Sequence, residues 1–400
     1  PDYDARTVTV KAHTSLPGGA ANLWAVVRAG GVTIAEDWGS DEADRDGAVT
    51  LHIPEEHFFP WSPDTPFLYD LTVGTTQGEE EQRDTVHSYF ALRKWSCAPD
   101  AHGIMRFCLN GKPILLNGLL DQGYWPEGLY TPPSDGAVVR ELQTIKELGF
   151  NLLRKHAKIE PQRWYYHCDR LGYMVWGEFP NWGLDVTRPD AVYSVLPEWL
   201  EEVERDFNHP ALIGWCPFNE TWDRDHRKQD DNVLRAVYLA TKSADPTRPC
   251  IDTSGNYHVA TDIYDVHDYE QNVEIFKNHY DELSNGGELW DQVNHRGTGV
   301  RQQYDGKLPV FISEYGGIGW TKEEKAWGYG NMPKSEEEFI ERFRGLTSAI
   351  LDNPRIMGLC YTQLTNVEQE QNGLYTYDRQ PKFDVNIFRE VLTKKAAIED

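Results

Sequence analysis

Along residues 1–96, apolar and polar positions alternate in short runs. TVTVKAH (7–13), NLWAVVRAG (22–30), AVTLHIP (48–54), LYDLTVGTT (68–76) and DTVHSYFALRKWS (84–96) each turn every second side chain to an apolar face. That period of two marks strands with one buried side. The turn-forming stretches PGG (17–19), GSDEADRDG (39–47) and QGEEEQ (77–82) separate them. Short strands at this spacing predict an antiparallel sandwich of about 90 residues. FFPWSPDTP (58–66) carries several prolines and is expected as a loop or edge connection, because proline cannot donate to a strand ladder.

From about residue 104 the period changes, and short apolar strands alternate with helical patterns. Strands are predicted at 113–120, 150–154, 173–178, 212–220, 249–254, 262–269, 308–314 and 355–363. Helices are predicted at 136–148, 161–171, 197–207, 230–243, 336–352 and 386–397, with irregular structure around 270–304. Eight strands in series, each followed by a helix or loop, fit a (β/α)8 TIM barrel. A doubly wound sheet is the rival fold, but no glycine-rich phosphate fingerprint follows the first strand.

Composition narrows the function. The 400 residues include 14 Trp and 20 Tyr, rings suited to stacking on the C–H faces of sugars as well as to core packing. The net charge of −25 disfavours nucleic acid and anionic membranes as partners. No apolar run reaches the length of about 18 residues that a membrane span needs. Six scattered cysteines (97, 108, 168, 216, 250, 360) form no CxxC, so buried free thiols are expected and no zinc site. The chain begins at Pro1, which suggests a processed chain or part of a longer one. Localisation stays open, with a soluble cytoplasmic protein favoured.

In a TIM barrel the active site lies at the C-terminal strand ends. Those ends carry Asp121, Arg154 with His156, Glu178, Asn219 with Glu220, Asp268 with Tyr269, Glu314 and Gln363. A carboxylate closing a buried strand, as in LIGWCPFNE and LPVFISE, is costly unless it faces a cleft or a partner. Glycoside hydrolysis needs two carboxyls, a proton donor and an ionised nucleophile. Glu220 and Glu314, on the fourth and seventh strands, fit that pair. Asn219 could donate its amide to a sugar hydroxyl. Arg154 is suited to hold Glu314 ionised, whereas Glu220 should sit with a raised pKa beside it.

HPALIGWCPFNE (209–220) resembles the acid/base block of glycoside hydrolase family 2, and LPVFISEYGG (308–317) resembles its nucleophile block. FCLNGKPILLNG (107–118) is similar to the family's first barrel strand. IKELGFNLLRKH and YYHCDRLGYMVWGEFP, within 145–180, are similar to its second and third strands, and YFALRKW (89–95) to its sandwich-to-barrel junction. The resemblance implies an immunoglobulin-like β-sandwich (1–97) followed by a catalytic barrel (98–400). It also implies retaining, exo-acting cleavage of a terminal β-linked sugar, β-galactosidase-like, with Glu314 as nucleophile and Glu220 as acid/base. The jelly-roll domain that precedes the sandwich in the family is not in this sequence.

Departures from the family bear on the sugar. Arg154-Lys155-His156 is one residue shorter than the β-galactosidase pattern, and Asp121, Tyr124 or Trp125 stands where those enzymes carry a histidine. Glu370 and Asn372 occupy the places of the Asn-x-Lys pair by which glucuronidases hold a carboxylate, so a uronate would be repelled. Gln363 replaces a common tryptophan floor. Glu178, Trp182, His156, His267, Tyr269 and Trp320 complete the expected substrate-binding set, with packing as the competing role for His267 and Trp320. Asp223, Asp225 and His226 read as a solvated turn rather than a metal cluster. The acidic runs EEEQRD (79–84) and SEEEF (335–339) read as a solvated face or a helix N-terminus. No metal or cofactor is expected; the expected partner is a carbohydrate, and a homo-oligomer is compatible with the sequence. An arabinoside- or galactofuranoside-type hydrolase and a non-catalytic carbohydrate-binding fragment are the alternatives.

Overall fold

The computed structural model describes residues 1–12, 22–38, 48–77, 81–291, 301–322 and 325–399. The predicted turns at 17–19 and 39–47, and residues 78–80 of the third, lie outside these. The chain divides into two compact units. The first is Pro1–Lys94 with Asp169–Gly172 and Asn208–Pro210; the second is the remainder.

The first unit holds β1 (Thr7–Lys11), β2 (Asn22–Ala29), β3 (Val32–Asp37), β4 (Ala48–His52), β5 (Tyr69–Gln77) and β6 (Glu81–Phe90). β1 pairs antiparallel with β4, and a second antiparallel sheet runs β3-β2-β5-β6. Val8, Val49 and Leu51 of the small sheet share one core with Leu23, Ala25, Val27, Tyr69 and Leu71 of the large one. The period of two is visible in β2, where alternate residues from Leu23 to Ala29 join that core. β3 was not predicted. Its burial is sparse, so its sequence carries little alternation, yet Gly30 and Gly31, both at positive φ, close a tight hairpin onto it. Residues 58–66 form no strand, as their prolines require.

The second unit opens with an antiparallel sheet of β7 (Trp95–Pro99), β8 (Met105–Leu109) and β9 (Lys112–Pro113). The single strand expected over 84–96 is divided: β6 ends at Phe90, and β7 starts at Trp95 in this sheet. A curled parallel sheet follows: β10 (Leu116–Asp121), β11 (Leu152–Lys155), β12 (Met174–Glu178), β13 (Leu212–Cys216), β14 (Tyr264–Asp268), β15 (Val310–Gly316) and β16 (Ile356–Thr362). Its order is β13-β12-β11-β10-β16-β15-β14. Residues 249–254, predicted as a strand, hold the fifth position through parallel bridges Trp215–Cys250 and Asn219–Ser254 only. With that segment the sheet has the strand order of a TIM barrel.

The helices are α1 (Asp135–Leu148), α2 (Gln162–Leu171), α3 (Val192–Asp206), α4 (Asp231–Ala244), α5 (Val273–Ser284), α6 (Glu336–Leu351) and α7 (Val385–Leu392). Ser134 caps α1 by accepting the Ala137 amide, and Gly149, at φ 99°, ends it. α6 starts at the Ser335 cap with Glu336, Glu337 and Glu338 in its first turn, where acidic charge suits the helix dipole. α3 begins five residues before the expected start and contains Pro197 internally. α5, capped by Asn272, occupies part of a stretch expected to be irregular. Five cysteines are buried and Cys97 is half-buried, all as free thiols. No helix among the described residues is long and apolar enough to cross a membrane.

Candidate active site

Strand alternation decides which strand-end residues meet. On β11, Arg154 and Lys155 point to opposite sides. Arg154, 1% exposed, turns to the inside of the sheet. Its Nε donates to Glu178. Nη1 donates to Glu314 Oε1 at 2.8 Å and to the Ser313 carbonyl at 2.9 Å, and Nη2 donates to Asn219 Oδ1 at 2.5 Å. One guanidinium thus ties β12, the segment after β13, and β15 to β11. Burial alone would favour its neutral form, but Glu178 and Glu314 outweigh that and keep it cationic.

Glu314 is buried, and its second oxygen accepts from the Tyr269 hydroxyl, which also lies 3.1 Å from Thr362 Oγ1. The Tyr269 ring stacks on Tyr329 with centroids 3.4 Å apart. The turn after Glu314 must be glycine for this to happen: at Gly317, φ 60°, a Cβ would stand 2.3 Å from the Tyr329 ring.

Glu220 follows β13 in the left-handed region at φ 47°, a conformation that signals local constraint in a non-glycine residue. Its amide donates to the Ser254 carbonyl at 2.9 Å. Asn181 clamps the preceding residue, donating to the Asn219 carbonyl and accepting from its amide, each at 3.0 Å. Because Asn219 Oδ1 faces Arg154, its NH2 is the end left to donate.

Between the two carboxylates stands His267 of β14. Its Nδ1 is 2.8 Å from Glu220 Oε1, and its Nε2 is 3.0 Å from Ser254 Oγ, 3.3 Å from Arg154 Nη1 and 3.5 Å from Glu314 Oε1. Gly255, at φ 69°, lies against the ring so closely that a Cβ would come within 2.2 Å of it. Burial opposes a charged imidazole, but Glu314 and Glu220 prevail and raise the His267 pKa. Burial likewise pushes Glu220 up, but the hydrogen bond and charge of His267, with His156 and Arg154, bring it below the usual carboxylate value. This reverses the expectation that Glu220 rests with a raised pKa, because a histidine stands between the two carboxylates.

A second network closes beside the pair. Gln122 Nε2 donates to Gln363 Oε1 and Glu370 Oε2, both at 3.0 Å; Gln363 Nε2 donates to Asn372 Oδ1 at 2.9 Å; and Asn372 Nδ2 donates to Glu370 Oε1 at 3.1 Å. Burial raises the Glu370 pKa, Gln122 and Asn372 partly offset it, and the field of Glu314 adds to it. His156 lies with Nδ1 3.3 Å from Glu178 Oε2 and its ring edge-on to Trp182, which is 57% exposed.

Several other residues of the expected set, and the strand-end Asp268, are engaged by protein groups. Asp121 pairs in register with Lys155, so it points away from Arg154's side; it is buried against Lys155 and accepts the Gly123 amide at 2.8 Å. Glu178 spends its oxygens on Arg154, His156 and the Ala157 amide, so it orients the site rather than facing a sugar. Trp125 is 4% exposed beneath the Arg379 guanidinium, 3.5 Å from the ring centroid, and offers no open face. Trp320, half-buried, packs on Phe339 and Phe383. Asp268 accepts from His279 Nδ1 at 2.8 Å and the Tyr280 hydroxyl at 3.0 Å, on the α5 side. His267, given packing as a competing role, instead lies between Glu220 and Glu314. Gln122, Asn181, Ser254 and Tyr329 were missed; only Gln122, next to Asp121, had a signal, the parity of its strand.

Donor atoms of Glu220, His267 and Glu314 all lie within 4.8 Å of one another, a spacing a metal ion could accept. The Arg154 guanidinium already supplies the cation there. Asp223 binds the Gln229 amide and Lys228, and it makes no such cluster with Asp225 and His226.

Residues 104–396 match the family described as glycosyl hydrolases family 2, TIM barrel domain. A β-galactosidase from Enterobacter cloacae is 30% identical over 247 residues, covering 60% of this chain and 22% of that protein. A β-galactosidase from Leuconostoc mesenteroides is 27% identical over 283 residues, 66% of this chain and 26% of that protein. The chain thus aligns with about a quarter of these relatives' length. The crystal structure of an FMN-binding β-glucuronidase from Facaelibacterium prausnitzii L2-6 superimposes with a TM-score of 0.78 at 21% identity, over 97% of this chain and 60% of that one. It shares the fold.

Proposed function

The chain belongs to glycoside hydrolase family 2, and on that premise we propose that it cleaves a terminal β-linked sugar with retention, through a covalent glycosyl-enzyme on Glu314. The observation that carries the reading is the pairing of the two carboxylates. Oxygens of Glu220 and Glu314 lie within 4.8 Å, which fits the ~5–5.5 Å carboxyl separation of retaining enzymes and not the ~6.5–9.5 Å of inverting ones. Their surroundings differ as the two tasks require. Glu314 is buried between Arg154, which donates to Oε1, and Tyr269, which donates to Oε2, so both of its oxygens are held in place. Glu220 is a quarter exposed, open to a leaving group, and backed by an imidazole.

Glu314 attacks the anomeric carbon while Glu220 protonates the departing oxygen; Glu220 then takes a proton from water, whose oxygen displaces Glu314. Asn219, with Oδ1 fixed by Arg154, donates its NH2 to a sugar hydroxyl. A β-galactoside is the first substrate to test, since relatives 27–30% identical are named β-galactosidases. A glucuronide is disfavoured because Glu370, where that sugar's carboxylate would need a cation, is itself a carboxylate bonded to Gln122 and Asn372. We assign the first unit, expected over 1–97, to an immunoglobulin-like sandwich, and the second, which begins at Trp95 and was expected over 98–400, to the catalytic barrel.

The test is covalent trapping. A 2-deoxy-2-fluoro-β-galactoside with a good leaving group should add one sugar to the peptide containing Glu314. Glu314→Gln should abolish labelling and cut kcat/KM on aryl glycosides by at least about 10³-fold, roughly 4 kcal/mol. Labelling of another residue, or near-normal turnover by the variant, refutes the assignment.

A further inference from the structure

We infer that His267 holds the proton that Glu220 delivers, so that the acid/base unit of this site is a Glu220–His267 pair rather than a lone carboxyl. The inference rests on the retaining reading above and deepens it. Its ground is geometric: a buried imidazole, wedged against Gly255, stands 2.8 Å from one working carboxylate and 3.5 Å from the other. Ser254 Oγ, 3.0 Å from Nε2, donates onward to Asp265 Oδ2 at 2.6 Å, so its lone pairs are turned to accept the Nε2 proton. With Nε2–H on Ser254 and Nδ1–H on Glu220, the ring is held as an imidazolium. The charged groups facing it are Glu220 after β13, Glu314 on β15, Asp265 on its own strand β14, and Arg154 on β11. Glu314 and Glu220 favour the cation, whereas Arg154 and burial act the other way, and the charge of Asp265 is met by His258, 3.2 Å from its Oδ1.

This arrangement ties the proton to the chemistry. The Glu314 charge supports the imidazolium together with Glu220, and Glu314 loses that charge as it bonds to the anomeric carbon. The proton then moves from His267 Nδ1 to Glu220 Oε1, and from Glu220 to the glycosidic oxygen as the C–O bond breaks and its electron pair stays with the leaving group. In the second step Glu220 takes a proton from the attacking water, and Glu314 departs as a carboxylate. Its restored charge draws that proton back to His267. One proton leaves and one returns, so the cycle balances. The pair titrates as a unit, which lets one site hold an ionised nucleophile and an available acid proton together.

The proton's seat is read without turnover. In the ¹⁵N-histidine NMR spectrum, the His267 signal, assigned by its loss in His267→Gln, should be doubly protonated at pH 7, and Glu220→Gln should move its titration to lower pH by about a unit. A neutral ring at pH 7 in the native protein overturns the inference. Its delivery is read from kcat/KM against pH. His267→Gln, checked for folding by thermal melt, should move the basic limb to lower pH. At pH 7 it should lose at least about tenfold more rate on an alkyl β-glycoside than on a 2,4-dinitrophenyl one, within the ~10²–10⁴-fold range of general acid catalysis. Ser254→Ala, which removes only the Nε2 acceptor, should shift the limb the same way by less. Equal losses on both leaving groups with an unmoved limb make His267 structural and overturn the inference. Near-normal activity of Glu314→Gln would instead overturn the nucleophile assignment, leaving the NMR result to stand by itself.

Discussion

Arg154→Lys keeps the charge and removes the fork. In the structure the guanidinium serves four acceptors: Glu178, Glu314 Oε1, the Ser313 carbonyl and Asn219 Oδ1. A lysine ammonium is a compact point donor on a flexible stem and cannot span acceptors presented by three chain segments. If it keeps the two carboxylates, the bonds to Ser313 and Asn219 are lost. Hydrogen bonds to a charged group contribute roughly 1.5–3 kcal/mol each, so the expected loss is on the order of 3–6 kcal/mol. That is a large part of the ~5–15 kcal/mol typical of a folded domain, and it should lower the melting temperature by on the order of 10 °C. Asn219 and Glu314 are also released from a common anchor, and misplacing a reacting group by about 1 Å can cost ~10²-fold. The expected kinetic result is therefore a kcat/KM loss of about 10²-fold or more, with kcat falling further than KM rises. Thermal melts and steady-state kinetics on an aryl β-glycoside check both parts. A melting point within about 2 °C of the native protein and kcat/KM within about fivefold would show that the fork does not organise the site.

Asp121→Ala breaks a pair in which both side chains are fully buried; removing one partner of a buried pair costs ~3–5 kcal/mol, and Glu160, 2.7 Å from Lys155, limits the loss to the lower end. Chemical denaturation should show that loss while KM holds, and a raised KM with unchanged stability would restore Asp121 to the sugar pocket. Asp245 gives a pH prediction: burial pushes it up, but Arg248 at 2.6 Å prevails and brings it from 3.8 to about 2. A depressed folded-state pKa contributes stability that is full above the unfolded value and lost as pH falls from 3.8 through about 2, here roughly 2 kcal/mol. Asp245→Asn should therefore destabilise by that amount in urea melts at pH 6 and by much less near pH 2, and an equal penalty at both pH values refutes the linkage.

What the sequence disclosed follows from which physical signals are local. The barrel strands, and the meeting of Glu220 with Glu314, were legible because each strand is a short apolar run closed by a polar residue, and burying that residue without a purpose is costly. Side-chain direction was less so. Counting in twos from Arg154, Lys155 must leave the site and carry its register partner Asp121 with it, while Gln122 turns in to meet Gln363 and Glu370. The alternation was in the sequence, but the starting phase came only from the paired register. His267 shows a different limit. It is two residues before Tyr269 in DIYDVHDY, yet a bulge between Val266 and His267 on the β14–β15 ladder and the absence of a Cβ at Gly255 set where the ring lies. Neither has a signature in the strand itself. The hydrogen bond and charge of His267, with His156 and Arg154, outweigh burial at Glu220, so the resting charge of Glu220 could be read only after the fold had set those distances.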